Sequence, residues 1–323
     1  MTKQNGFTIV EILISLTIGL FLFSGISLVF VGMRSTSAET SSYGEMQETG
    51  RIAISILSDD LMRQGFWGDL SMPLSSSNLL GVPAAPAGEC TGDGLNNGTF
   101  PTALGTFRTI WGKTADGANE MGCITNAVTG SDILQIKRTV VNPFNTANPL
   151  PADRYYLVTN TVAGQIIDSG DAIPAINDSR AWEYQHHVYY VSNDTVGDGV
   201  VPVLNLRSLA NTMNAQPMID GVERIRIQYG IDSAADGQLD GVVDAFIPAD
   251  QMTQALWDNE SSSRIVAAKI FVLVRDINPD LKYTNTLSYQ LGDLTINATN
   301  DNYRRMLFSS TVTLHNGDVE IWQ

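Results

Sequence analysis

Gly6-Phe7-Thr8-Ile9-Val10-Glu11 is the stretch that decides how the rest is read. From Phe7 to Met33 the chain carries one ionisable side chain, Glu11. As a helix this run is about 40 Å long at 1.5 Å per residue. That exceeds a hydrocarbon core of roughly 30 Å, so the segment is predicted to span a bilayer with some tilt. Gly19, Gly25 and Gly32 weaken the helix, yet no proline occurs before Pro73. Upstream, Met1 to Gly6 is a short polar leader with one cation, Lys3. A cleaved secretory signal, with Thr36-Ser37-Ala38 as a small-residue cut site, calls for an apolar run of about 7–15 residues with no acid inside it. A plain membrane anchor accounts for the length but not for Glu11. A carboxylate costs about 2.5–3.5 kcal/mol at the bilayer centre, and somewhat less toward the interface.

Beyond Met33 the sequence turns polar but stays free of proline through Met72. Ile54, Leu57 and Leu61 fall at i, i+3 and i+7 with Ile56 beside them, which is one face of an amphipathic helix. Arg51, Ser55, Asp59, Asp60 and Arg63 are assigned to the other sides. The spacing predicts one helix from Phe7 to about Met62, with Gly44 and Gly50 as its weak points. Its second part is expected to lay the apolar stripe on a head domain. Gly65 is expected to stop it, and Phe66 and Trp67 to pack at the junction.

Residues 71–130 are rich in Gly, Ser, Pro and Asn and read as a long, irregular insertion poor in core residues. Both cysteines, Cys90 and Cys123, lie there without a CxxC pair or a companion histidine, so zinc ligation is disfavoured. In a head outside the cytoplasm they pair as a disulfide, worth roughly 3.5–4 kcal/mol for a loop of this size in the chain-entropy model. After Ser131 the pattern is strand-like: Ile133 to Lys137, Tyr155 to Val162, Glu183 to Val191, Val200 to Leu206 and Val222 to Tyr229. Val242 to Ile247 and Met306 to Leu314 are also strands by this reading, and the nearly all-apolar Ile265 to Val274 is a central one. The fold class is α+β, a long N-terminal α-helix packed on an antiparallel β-sheet head with a large loop-rich insertion.

Of the 323 residues, 19 are Lys or Arg and 34 are Asp or Glu, a formal charge of −15. Such a surface repels phosphate, so no direct nucleic-acid binding is expected. A search for catalytic chemistry returns nothing: no HExxH, GxSxG or Walker sequence is present. His186 and His187 are neighbours in a strand and point to opposite faces; His315 sits at a turn. Gly92-Asp93-Gly94 lies in a loop instead of a strand-to-helix turn. One cluster is a Ca²⁺ candidate, namely Asp232, Asp236, Asp240 and Asp244, four residues apart with Gly237 and Gly241 between them. It departs from EF-hand spacing, and a solvated acidic turn is the competing reading. Asn193-Asp194 with Asp198 is a weaker version of the same loop.

Gly6 to Glu11 resembles the cleavage motif of type IV prepilins, with glycine, then phenylalanine, and glutamate fifth in the mature chain. The resemblance implies that a prepilin peptidase cuts between Gly6 and Phe7 and that Phe7 is N-methylated. Glu11, one helical turn on, would neutralise the freed amine of its own or a neighbouring subunit. Arg51 through Phe66, the stretch from Tyr229 to Arg275 with Asp240-Gly241-Val242-Val243-Asp244 and Trp257, and Arg304-Arg305 before the final strand resemble the PilW family of minor pilins. Where that family often carries a cysteine after the helix end, Gly68-Asp69 stands here. The resemblance divides the chain into a leader (1–6), a transmembrane and filament-core helix (7–33), its amphipathic continuation (34–66) and a β-rich head (67–323). It implies a single-pass inner-membrane protein with a periplasmic head that moves into a surface pilus. There it would be a subunit of a priming and tip complex, with motility, adhesion or DNA uptake downstream. Its partners would be other minor pilins, the major pilin and a tip adhesin, with no cofactor. A minor pseudopilin of a type II secretion system, or a membrane-anchored β-rich binding protein, are the alternatives.

Overall fold

A computed structural model of the protein describes residues 6–145, 149–196, 199–234, 239–259 and 262–314. The chain forms two compact units, Met1–Gln47 and Glu48–Gln323. A single α-helix, α1 (Ile9–Met62), begins in the first and ends in the second. Phe7 to Met62 was the expected span; Phe7 and Thr8 lie outside the helix, with the Thr8 hydroxyl capping its start.

In the first unit the large apolar side chains of the helix are exposed, among them Phe21, Phe23, Leu28 and Met33. An 18-residue window reaches a mean hydropathy of 2.4, long and apolar enough to cross a membrane.

The second unit begins with the last turns of α1, which bury Ala53, Leu57 and Leu61 completely. Ile54 and Ile56 are only half-buried, so the packed stripe is rotated from the expected one and takes in Asp60 and Gln64. Gly65, at φ 67°, ends the helix in the left-handed conformation that glycine adopts without strain. Its N–H then leaves for the carbonyl of Lys137 at 3.0 Å, tying the exit to the sheet.

Two antiparallel sheets follow. The first runs β1 (Ile110–Thr114), β2 (Asp132–Thr139), β5 (Arg180–Val196), β3 (Tyr155–Thr159) and β4 (Gly164–Asp168). The far half of the 17-residue β5 also pairs with β6 (Gly199–Leu209), which carries β7 (Met213–Asp220) as an edge. The second sheet has the order β13 (Arg305–Thr313), β10 (Ser263–Arg275), β8 (Val222–Ser233), β9 (Ala245–Pro248). As its apolar run predicted, β10 is central, with Ile270, Val272, Leu273 and Val274 at 0% exposure. On β13, Phe308 faces the helix, and a Cβ built on Gly50 would stand 2.2 Å from its ring. A hairpin of β11 (Tyr289–Leu291) and β12 (Leu294–Ile296) covers Phe271 and Leu273. The one-turn α2 (Gln254–Trp257) sets Trp257 against Tyr229, ring centroids 4.6 Å apart.

The 71–130 segment differs from expectation in two ways. It contains strand β1, and it is not poor in core. Leu74, Cys90, Phe100, Phe107, Cys123 and Ile124 join Trp67, Tyr155 and Tyr184 in one buried cluster. Trp67 stacks on Tyr184 at 5.6 Å and 14°. Scattered aromatics without periodicity do not register as core in a sequence, yet each brings on the order of 150–250 Å² of surface to bury.

Candidate functional site

The N-terminal site is built on a helix start. Gly6 and Phe7 are exposed and lie ahead of the helix. A Cβ placed on Gly6 meets nothing within 4 Å, so nothing in this chain demands glycine there. Thr8 and Glu11 form a reciprocal cap. The Thr8 backbone N–H and hydroxyl donate to Glu11 Oε2 at 2.9 and 2.8 Å, and the Glu11 N–H donates to Thr8 Oγ1 at 3.3 Å. A capping box satisfies two otherwise orphaned donors of the first turn. Its signal, Thr-x-x-Glu before an apolar run, was readable in the sequence and was missed. Glu11 therefore has a partner within its own first turn. Lys3 lies outside the described residues.

Within the head, buried charge holds the parts together. Asp60, placed on the solvent side by sequence, is 4% exposed. Its Oδ1 accepts from Arg138 Nε at 2.5 Å, and its Oδ2 accepts from the Tyr189 hydroxyl at 2.8 Å and lies 2.6 Å from His187 Nδ1. Burial alone would raise this carboxyl, but the charges and hydrogen bonds of His187 and Arg138 override it and hold it well below the usual carboxylate range. One helix residue thus anchors to both β2 and β5. Arg108, 2% exposed, extends from the insertion to α2, with Nε and Nη2 on the Asp258 carboxylate at 2.7 and 3.0 Å. Gly94 permits that approach: a Cβ there would lie 2.3 Å from Arg108 Nη1. Arg226 on β8 crosses to Asp132 on β2 at 3.0 Å and also grips Asp250 and Asp293.

Cys90 and Cys123 form the expected disulfide, with Cα atoms 5.0 Å apart. His186 and His187 do point apart. His187 meets Asp60, while His186 is fully buried between the Thr99 hydroxyl at 3.1 Å and the Gln135 amide at 2.8 Å.

The aspartate loop is closed by its own backbone. Asp232 Oδ2 accepts from the Gly241 N–H at 2.7 Å, Asp240 Oδ1 from Val242 at 2.9 Å, and Asp244 Oδ2 from the Ser233 N–H at 2.7 Å. Among the described residues no group of three or more His, Cys, Asp or Glu is placed to hold a metal ion. Asp236, Gly237, Asp198 and His315 lie outside the described residues. Asp194 accepts from the Ser192 hydroxyl at 3.0 Å.

Two family models match the chain. Residues 1–27 match the prokaryotic N-terminal methylation motif, and residues 188–316 match type IV pilus-assembly protein W, PilW. No curated protein and no solved structure matches it. The methylation match covers the exposed Gly6–Phe7 bond, the Thr8–Glu11 cap and most of the apolar helix. The PilW match covers the second half of β5 and all of β6 to β13. With both in one polypeptide, the chain matches a PilW-type pilin carrying a prepilin N-terminus.

Proposed function

We propose that the protein is a minor pilin, made as a prepilin, cut between Gly6 and Phe7, methylated on Phe7 and built into the priming and tip complex of a type IV pilus. The observation that carries the reading is the order of parts at the N-terminus: an exposed Gly-Phe bond ahead of the helix, a Thr8–Glu11 cap, then an uninterrupted apolar helix. Cleavage on the cytoplasmic side leaves that helix attached, with the head in the periplasm and the inner membrane holding the subunit until assembly. The freed Phe7 amine is adjacent in sequence to Thr8, whose N–H and hydroxyl already hold Glu11. Glu11 can therefore exchange part of its cap for the amine of its own or a neighbouring subunit, and in a helix bundle of low dielectric that pairing outweighs two lone charges. The partners are a prepilin peptidase, other minor pilins, the major pilin and, at the tip, an adhesin. The role is structural.

Mass spectrometry of the mature N-terminus tests this. A methylated Phe7 start is expected, and a start at Met1 or Glu39 refutes it. Glu11→Ala should leave cleavage intact and reduce incorporation into sheared filaments. A normally piliated mutant overturns the assigned role of Glu11. A minor pseudopilin of a type II secretion system shares the same N-terminal logic; copurification with secretion components in place of pilins would favour it.

A further inference from the structure

Beneath the disulfide, β2 turns Lys137 into the interior, where it is 0% exposed. Its Nζ donates to Asn97 Oδ1 at 3.0 Å and to the Arg108 carbonyl at 2.9 Å, and it lies 4.6 Å from the Phe107 ring centroid. Among the described residues no carboxylate stands within 4.0 Å of it. An uncompensated ammonium in such a place is costly, and a buried lysine sheds its proton. Burial, with the nearby Arg108 cation adding to it, holds Lys137 well below the usual range for an amine. That lowering favours the neutral amine, the form of Nζ whose lone pair is nucleophilic.

The group it faces is a carboxamide. Asn97 is 1% exposed, and its Nδ2 donates to the Asp93 carbonyl at 3.0 Å. The oxygen that receives the Lys137 hydrogen bond is bonded to Cγ, so nucleophile and electrophilic carbon are neighbours in a dry, fixed geometry. Proximity of this kind substitutes for an external catalyst. Glu89, whose charge acts on Lys137, holds the same loop in place through the Thr99 N–H at 2.6 Å.

We propose that Lys137 Nζ and Asn97 Cγ become joined in an intramolecular isopeptide bond. The Nζ lone pair forms the new N–C bond and the carbonyl electrons move onto Oδ1. A proton then passes from Nζ to Nδ2. The Cγ–Nδ2 bond breaks, the carbonyl re-forms and ammonia leaves. One C–N bond is made, one is broken, and nothing is oxidised or reduced. The product fastens the cysteine-bearing loop to β2 independently of the disulfide, so that reduction alone does not free it. Buried Lys137 is otherwise a hydrogen-bond hub, and the test separates the two.

The full-length chain is extracted from membranes and its intact mass compared with that of its sequence after N-terminal processing. One ammonia, about 17 Da, is expected to be missing. Proteolysis should yield a branched peptide joining the segments around Asn97 and Lys137, stable to reduction and to alkali. Lys137→Met and Asn97→Ala should each restore the unreacted mass. Asn97→Asp should lose water and arrive at the same final mass as wild type. Unmodified Asn97 and Lys137 in the folded wild-type chain overturn the proposal. So does an ammonia loss confined to the Asn97-Gly98 peptide and reversed by alkali, which marks a succinimide. Wild type alone decides the matter if the variants fail to fold. The result is independent of whether the protein enters a pilus.

Discussion

Asp60→Ala should be among the most damaging single changes on the exposed-looking side of α1. It removes the acceptor of Arg138, whose side chain is 9% exposed, together with that of the Tyr189 hydroxyl and the close partner of His187. Breaking a buried pair by deleting one member costs about 3–5 kcal/mol, because the remaining charge is left without compensation. A domain has only about 5–15 kcal/mol in total. Asp59, the next residue, supplies the control. It pairs with Arg63 at 3.3 Å with side chains 56% and 48% exposed, and such a pair is worth about 0–1 kcal/mol. Urea unfolding of the detergent-solubilised chain, followed by the fluorescence of Trp67 and the other head tryptophans, should place the Asp60→Ala midpoint on the order of 1–2 M lower. Asp59→Ala should barely move it. The folded Asp60 carboxyl is held below its ordinary value of 3.8, so its contribution is present above that pH and is lost as pH falls beneath it. The mutant should therefore lose part of the acid sensitivity of wild type. Equal midpoints for the two alanine variants would refute the idea that Asp60 is the rivet between helix and sheet.

Four further outcomes are expected. Gly50→Ala should destabilise the head by about 1–3 kcal/mol through its clash with Phe308, although alanine favours a helix. Gly44→Ala, with nothing within 4 Å, should gain up to about 1 kcal/mol, and thermal melts of the pair should show opposite signs. The double variant Cys90→Ser, Cys123→Ser should lower stability by about 3.5–4 kcal/mol in denaturant titrations. Asp301 is held down to about 2 by hydrogen bonds from Arg305, so it stabilises above its ordinary 3.8 and ceases to do so as pH falls toward 2. Asp301→Asn should flatten the melting temperature across that interval.

What could be read from sequence was whatever had a local cause. The helix needed only an apolar run, a stretch without proline and a stopping glycine, and Ile9–Met62 ends where Gly65 dictates. Strands β2, β5, β6, β8, β10 and β13 announced themselves through β-branched, alternating or continuous apolar runs. The edge strand β7 did not, because residues 214–218 are exposed and include Pro217. β1 and β4 were hidden by their shortness and by Gly112 and Gly164. The buried ionic links were illegible for another reason: Asp60 meets partners 78 and 127 positions away. A charged residue on an amphipathic helix defaults to solvent until its partners are known. At the N-terminus the methylation motif was legible from type and spacing, and the Thr8–Glu11 cap is local to the same six residues.

The PilW-matched region starts at residue 188, which falls inside β5. The strand's earlier half belongs to ladders with β2 and β3, and Asp132 and Arg108 from before that boundary grip Arg226 and Asp258 beyond it. A graft cut at residue 188 would sever a strand and break the Arg108–Asp258 and Arg226–Asp132 pairs. Chimaeras between relatives should therefore exchange the whole head from Glu48 onward; the recognisable portion is only a stretch of shared ancestry within a larger cooperative body.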